Sequence, residues 1–344
     1  MEIVGGGKVH VFAPADENPH QPGPQENWQE SFVLYWYDWK HAIGGCFRLG
    51  HEPNYNGGQT QFVIAIVSPE GVFHRCTNLP LRAKDRLTNG FINGDDALRC
   101  EYDGQKIHWA LKDADVEAKL EVDLYVPPID AHRREGVDSA ESILSAHVDA
   151  ACGVQGTMKI KGKTYQIDAL GFRDHAWGSR DLNSLLSHRW TIGTFGKENS
   201  FVAMTFLSTA NTLVKFGWVI RGSTVIMAKQ VGVQTIVGED GATNFGGTTR
   251  MVLTTGEVFE VKFEPLYPAI ANCISHGERH SLYYDALSRV TWGDQVGFGI
   301  FESSCNIQGG TIKPKVYAGS IGTDGWHVDA KPLRSTDRYR GRNW

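Results

Sequence analysis

From Ser31 onward the chain is built of short apolar or alternating runs separated by Gly, Asn and Asp. The clearest in the first half are Phe32 to Trp39, Gln61 to Val67, Lys106 to Leu111, Ala118 to Val126 and Thr164 to Phe172. The second half continues with Trp190 to Phe195, Phe201 to Leu207, Phe216 to Arg221, Arg250 to Leu253, Val258 to Phe263, Leu282 to Trp292 and Val296 to Phe301. Runs of this length, rich in β-branched and aromatic residues and closed by turn residues, predict strands. Tyr102-Asp103-Gly104 and Arg221-Gly222-Ser223 each lie between two runs and predict hairpins. Helical periodicity is nearly absent, with room for one short turn at Asp181 to Leu186. About eighteen strands are too many for one small barrel, so the pattern predicts an all-β chain of two antiparallel β-barrels. Closing a sheet also removes its exposed edges.

The strand rhythm breaks near residues 182 to 188, at Asn183-Ser184-Leu185-Leu186-Ser187. The expected organisation is therefore an irregular lead-in over 1–27, carrying Pro14, Pro19, Pro22 and Pro24, then barrels over 28–185 and 186–330. Residues 331–344 form a basic tail with Arg334, Arg338, Arg340 and Arg342, read as a solvated end or as an arm packing on another subunit of a homo-oligomer.

Composition narrows the chemistry. With 344 residues, 41% hydrophobic and 21% charged, the chain can build sizeable cores, and its net charge of −5 gives no reason to expect nucleic acid or an anionic membrane as partner. No basic-then-apolar start suggests a signal peptide, and no apolar run reaches the roughly 20 residues of a membrane span. A cytoplasmic location is expected. Cys46, Cys76, Cys100, Cys152, Cys273 and Cys305 are scattered, which predicts reduced, mostly buried thiols rather than a zinc ribbon. There is no GxSxG elbow and no phosphate loop. Gly297-Phe298-Gly299 lies inside a strand with no helix after it, so it lacks the helix N-terminus that cradles a pyrophosphate. His276-Gly277-Glu278-Arg279-His280 resembles a metal cluster, but histidines four apart converge only on a helix, so a surface or structural role is expected. No cofactor and no metal is expected.

Gly171-Phe172-Arg173-Asp174-His175-Ala176-Trp177-Gly178-Ser179-Arg180-Asp181 is unlike the rest, packing ionisable groups and a tryptophan between an apolar strand and a loop. On an extended backbone Arg173, His175 and Trp177 share one face, with Asp174 and Ala176 opposite. Gly178 then bends the chain, freeing Arg180 and Asp181 from that alternation. A carboxylate among guanidinium groups can be locked in one ionisation state, or raised into the range of a general acid against an apolar wall. A structural ion network holding two domains in register stays an open alternative.

Asp174-His175-Ala176-Trp177-Gly178 resembles the D-H-[NSA]-W-G motif of the carotenoid 1,2-hydratase and hydroxyneurosporene synthase superfamily, the lipocalin-like AttH/CrtC type that includes lipocalin-like Diels–Alderases. Glu30 to Asp38 and Ile43 to Gly50 are similar to that family's opening, and Gly297 to Glu302 to its closing strand. The resemblance spans roughly residues 28 to 304 and implies two lipocalin-like barrels with a substrate cavity within or between them. It implies cofactor-free alkene protonation and water capture, with acid duty on Asp174 and with His175 and Trp177 beside it. Arg173 and Arg180 depart from the pattern, since they suit an oxyanion, enolate or phenolate better than a carbocation.

Phe32, Leu34 and Trp36 share one face of their strand, and Val33, Tyr35, Tyr37 and Trp39 the other, so both sides are covered. Core packing accounts for most of this; Trp36 and Tyr37 are also candidate walls for a bulky apolar ligand. Tyr283 and Tyr284 with Trp292 repeat the theme, and Glu302 is either a solvated strand end or a second carboxylate of the site. The leading expectation is a cofactor-independent lyase (hydro-lyase or carbon–carbon lyase) or isomerase acting on a hydrophobic terpenoid, steroid or polycyclic aromatic molecule. Asp174 would act as acid or base, with Arg173, His175 and Arg180 setting its field and Trp177, Trp36, Tyr37, Tyr283 and Glu302 contacting substrate. The alternative is a non-catalytic carrier of such a ligand; a histidine-based metal hydrolase ranks behind both.

Overall fold

The computed structural model describes residues 1–5, 10–130, 144–181, 184–237, 244–266, 270–276, 279–306 and 325–327. Two mainly antiparallel sheets account for them. The second sheet closes: Thr224–Val237, Leu213–Arg221, Asn199–Ser208, Leu185–Thr194, Gln295–Asn306, Arg279–Trp292, Val258–Pro265 and Asn244–Leu253 follow one another, and the last pairs back onto Thr224–Val237. This is an eight-strand barrel, lined by residues such as Phe201, Met251, Phe259, Val261, Phe263 and Phe301.

The first sheet corrects the expectation of a second barrel. Its order runs Gly325–His327, Gly71–Pro80, Gln59–Ser68, Ile43–Glu52, Trp28–Asp38, Lys163–Arg180, Leu144–Ile160, Val116–Leu124, Ile107–Asp113, Leu98–Tyr102 and Gly90–Ile92. Among the described residues its two ends do not pair, leaving a curled half-barrel. Both ends are short: beyond the Gly71–Pro80 strand, half-exposed over Cys76 to Pro80, only the 3-residue Gly325–His327 strand adds on. The Gly90–Ile92 end strand is only 3 residues long. The concave side is nonetheless a dense core of Trp36, Phe47, Phe62, Phe91, Trp109 and their neighbours.

A third core lies between the sheets. Tyr35, Tyr37, Val63, Ala65 and Phe172 on the convex side of the half-barrel pack against Trp190, Ile192, Phe216, Trp218, Phe298 and Ile300 on the outer wall of the barrel. The chain crosses from one sheet to the other between Arg180 and Leu185. Its beginning and end recross: Glu2–Val4 runs parallel to Thr224–Ile226 of the barrel, and Gly325–His327 pairs with Val72–His74 of the half-barrel. Both expected hairpins form, joining Leu98–Tyr102 to Ile107–Asp113 and Leu213–Arg221 to Thr224–Val237.

Cys46, Cys76, Cys100 and Cys152 are free thiols. The side chains of Cys273 and Cys305, the central residues of the 276–280 histidine cluster, part of the turn at Asp181 to Leu186 and the arginine tail lie outside the described residues. No helix among the described residues is long and apolar enough to cross a membrane.

Candidate functional site at the junction of the two sheets

The Lys163–Arg180 strand organises the site. In its first half Tyr165, Ile167 and Ala169 point into the half-barrel while Thr164, Gln166 and Asp168 are exposed, the alternation of a half-buried strand. From Gly171 the second sheet covers the other face, and burial becomes nearly continuous. Rather than passing into a loop near Gly178, the strand runs on to Arg180. The ionisable segment is therefore pinned on both sides, by Trp28–Asp38 and by Leu144–Ile160.

The two faces of that strand end in two different clusters. Arg173, His175 and Trp177 lie at the mouth of the half-barrel, where the lead-in is packed on top of them. Arg173 pairs with Glu17, both side chains buried, and donates to the Val148 carbonyl at 3.2 Å. Glu30 Oε1 accepts from His20 Nδ1 at 2.8 Å and from His175 Nε2 at 3.1 Å, while Glu30 Oε2 pairs with Arg86 at 2.8 Å. The His20 ring stacks on Trp177 at 3.8 Å, Phe12 meets the same indole edge-on at 5.2 Å, and His175 stacks on Phe32 at 4.0 Å. Burial alone would raise the Glu30 pKa, but the two imidazoles and Arg86 outweigh it and hold it at about 2. Burial depresses His175 to about 4 against the pull of Glu30, leaving it a neutral ring at pH 7. This network ties the lead-in to the half-barrel.

Asp174 faces the other way, into the junction. Its partner is a histidine: Asp174 Oδ2 lies 3.0 Å from His147 Nε2, and Asp149 Oδ1 lies 3.6 Å from the same nitrogen. Asp149 stands directly across from Asp174 on the neighbouring strand, so two carboxyls share one imidazole. Burial favours the neutral forms, yet the two carboxylates raise His147 to about 9, so it is charged at neutral pH. Burial would also raise Asp174, but His147, Arg180 and Arg173 more than offset this and keep it ionised. Asp149, wholly buried and beside the Asp174 charge, is raised instead.

The barrel presents a second carboxyl pair to the same junction. His188 and Trp190, Ser304 and Glu302, and Tyr283 and Asp285 form two adjacent rows across three strands. Tyr35 of the half-barrel donates to Asp285 Oδ2 at 3.0 Å, bridging the sheets. Glu302 contacts His188 Nε2, and His188 Nδ1 lies 2.5 Å from Ser304 Oγ. Burial and the Glu302 charge raise Asp285 well above the carboxylate range, and burial with the Asp174 charge raises Glu302 to about 7. His188 is depressed to about 3 by burial and by Arg189 and Arg180.

Of the residues singled out by sequence, the structure thus gathers Asp174, Arg180, Tyr283 and Glu302 at the junction. Arg173, His175 and Trp177 lie on the opposite face of their strand. Trp36 is fully buried in the half-barrel core and Tyr37 in the apolar part of the layer between the sheets, near Phe298. Sequence reasoning missed His147, Asp149, Asp285, Arg48 and His188. Arg48 and Asp285 are lone ionisable residues between apolar neighbours, in Phe47-Arg48-Leu49 and Tyr284-Asp285-Ala286, and that isolation was the available signal; His147 and Asp149 flank Val148, and His188 stands beside Arg189. An open cleft of about 510 Å³ lies at another edge, lined by Trp39, Tyr125, Leu170, Lys197 and others. Asp174 is not part of its lining.

Two groups bring possible metal ligands within 4.8 Å of one another: His20, Glu30 and His175, and His147, Asp149 and Asp174. In the first, hydrogen bonds and Arg86 already occupy the Glu30 carboxylate. In the second, Arg180 and Arg173 supply positive charge beside Asp174 that opposes a further cation.

A putative AttH from Nitrosomonas europaea has a similar structure, with a TM-score of 0.62 and 13% identity over 89% of this chain and 99% of that one. CghA with Sch210972 gives a TM-score of 0.60 at 8% identity over 83% and 90% of the two chains. Kievitone hydratase from Nectria haematococca gives 0.56 at 12% over 86% and 93%. At these identities the likeness establishes the shared lipocalin-like β fold and nothing finer. No curated protein matches the sequence. Residues 13–307 match the family described as Domain of unknown function (DUF7064), which covers both sheets and the junction between them, and the chain belongs to that family.

Proposed function

We propose that the chain is a cofactor-independent lyase or isomerase that adds or removes water, or shifts a double bond, in a bulky hydrophobic molecule seated at the junction of the sheets. One observation carries the reading: two carboxyl sites facing one junction are shifted in opposite directions. Asp285 is raised well above the carboxylate range and Glu302 to about 7, while His147 and Arg180 hold Asp174 below its ordinary value. Separated pKa values of this kind assign an acid and a base. The Asp285–Glu302 pair gives a proton to the substrate and Asp174 takes one from it or from water. The apolar wall is supplied by Tyr35, Trp190 and the layer between the sheets. Trp177, His175 and Arg173 hold the strand in place from behind. The names of kievitone hydratase and of CghA with Sch210972 are consistent with small-molecule chemistry on this fold.

The test is solvent isotope incorporation. A panel of terpenoid, steroid and polycyclic alkenes and alcohols is incubated with the protein in deuterated water and examined by mass spectrometry. Gain of deuterium, or a gain or loss of water, is expected with the native chain, unchanged by chelator and suppressed in Glu302→Gln. A compound that binds with no exchange in any case would make the protein a carrier. Loss of exchange on chelation, restored by a divalent metal, would overturn the cofactor-free mechanism.

A further inference from the structure

Two guanidinium groups at the junction, Arg48 and Arg180, make no ion pair within salt-bridge distance among the described residues, though Asp174 lies near enough to Arg180 to feel its charge. Arg48 is buried in the Ile43–Glu52 strand, and its Nη1 donates to Gln61 Oε1 at 2.5 Å and its Nη2 to Gln29 Oε1 at 3.3 Å. Both acceptors are neutral amides, and no described carboxylate lies within ion-pair distance of Arg48. Gly50 makes room for the guanidinium, since a Cβ there would sit 3.0 Å from Arg48 Nη1. Arg48 and Asp174 flank Val33 on one face of three adjacent strands, so the arginine points into the junction. Arg180 comes from the end of the neighbouring strand. Its backbone is clamped by Asn27 at 3.1 and 3.2 Å, while its Nε is buried without a hydrogen-bond partner. Opposite, on the barrel wall, Tyr283 is buried and its hydroxyl also lacks a partner.

A buried cation without a counter-ion costs stability, and so does a buried hydroxyl that makes no hydrogen bond. Arg48, Arg180 and Tyr283 come from three strands and lie close enough for both guanidinium charges to act on the Tyr283 hydroxyl, and an acceptor that binds between them explains the unpaired donors together. A guanidinium fork matches a planar two-oxygen anion, and a tyrosine hydroxyl adds a third donor. The surroundings agree. Burial and the proximity of Arg180 lower the Arg48 pKa, and His147 adds a third positive charge against the one firmly ionised carboxylate, Asp174.

We infer that Arg48, Arg180 and Tyr283 form an anion subsite, so that the molecule this protein binds is a hydrophobic carboxylic acid whose carboxylate sits between the two guanidinium groups. This rests on the proposed function in placing the ligand at the junction, and it adds the substrate class. An anion held there orients the apolar body between Asp174 and the Asp285–Glu302 pair. It also explains why a site with this much positive charge need not form a carbocation.

The test compares two fluorescent probes that share a ring system and chain and differ only at the end, pyrenebutyrate and pyrenebutanol. The native chain is expected to bind the acid at least about tenfold more tightly, the scale of a charge-assisted contact. In Arg48→Met the acid should fall to the level of the alcohol, with the alcohol unchanged. Tyr283→Phe, which removes one donor and no charge, should narrow the preference a few-fold. Because Arg48 has no ionic partner to strand, Arg48→Met should also melt at or above the native temperature. Equal binding of both probes by the native chain, or a preference that survives Arg48→Met, overturns the subsite while leaving the acid–base reading intact. Binding of neither probe overturns the ligand site itself and both inferences with it. A solvent-exchange failure alongside retained acid preference overturns only the chemistry.

Discussion

At the residue scale, the DHAWG motif divides its labour by parity. Asp174 looks toward the barrel and His175 toward the half-barrel core, as alternation along a strand requires. Asp174→Asn keeps the shape but removes the charge and the proton acceptor. Turnover should fall roughly 10²- to 10⁴-fold, with binding of a neutral ligand little changed. The variant leaves His147 with Asp149, so its imidazole should titrate below the native value of about 9, a change readable by NMR. The buried neutral histidines predict an acid limb to stability. His51 donates to the Ile92 carbonyl at 3.0 Å, stacks on Phe91 at 3.9 Å, and is depressed by burial and Arg86 from 6.5 to about 4. The unfolded chain therefore takes up its proton first. This stabilisation is complete above about pH 6.5 and is lost as pH falls through about 4, by at most roughly 3 kcal/mol. His175 and then Glu30 follow the same sign. Melting temperature should drop across that window, and less steeply in His51→Gln, whose amide keeps a donor without a titrating ring. An equally steep limb in the variant would remove His51 as a cause.

At the scale of elements, the Lys163–Arg180 strand carries both clusters because it is long, central and covered on both faces over its second half. Gly178 sits in it at φ +107°, a left-handed conformation that side chains avoid, two residues before Arg180. Gly178→Ala should cost on the order of 1–2 kcal/mol and displace Arg180, seen as a lower melting temperature together with weaker binding of pyrenebutyrate. Unchanged binding would mean that the Asn27 clamp alone positions Arg180. The strands and hairpins of this element and its neighbours were legible in the sequence, since alternation and turn residues are local signals. The continuation of the strand past Gly178 was not, because it depends on hydrogen bonds to Trp28–Asp38, far away in the chain.

At the scale of the whole molecule, the junction owes its rigidity to the core between the sheets. Phe172 is fully buried there, on the same strand face as Asp174. Phe172→Ala should cost about 3–5 kcal/mol and lower the melting of both sheets together, in one calorimetric transition. Two separated transitions would mean that the sheets unfold independently and that the layer between them is a loose contact.

The sequence by itself determined what is local: the all-β class, most strand positions, the two faces of Phe32 to Trp39, and the parity that separates Asp174 from His175. Tertiary structure decided which distant residues share a site. Nothing in the spacing announces that the Asp149–Asp174 pair meets the Asp285–Glu302 pair, because contact between strands more than a hundred residues apart is set by packing of whole sheets. It likewise decided that Arg173 belongs to Glu17 rather than to Asp174, since a neighbour in sequence points to the other side of a strand. Closure, too, was a tertiary outcome. Both halves carry barrel-like strand patterns, but only the second brings its Thr224–Val237 and Asn244–Leu253 strands together, while the first ends on Gly325–His327 and Gly90–Ile92, each 3 residues long and too short to reach across.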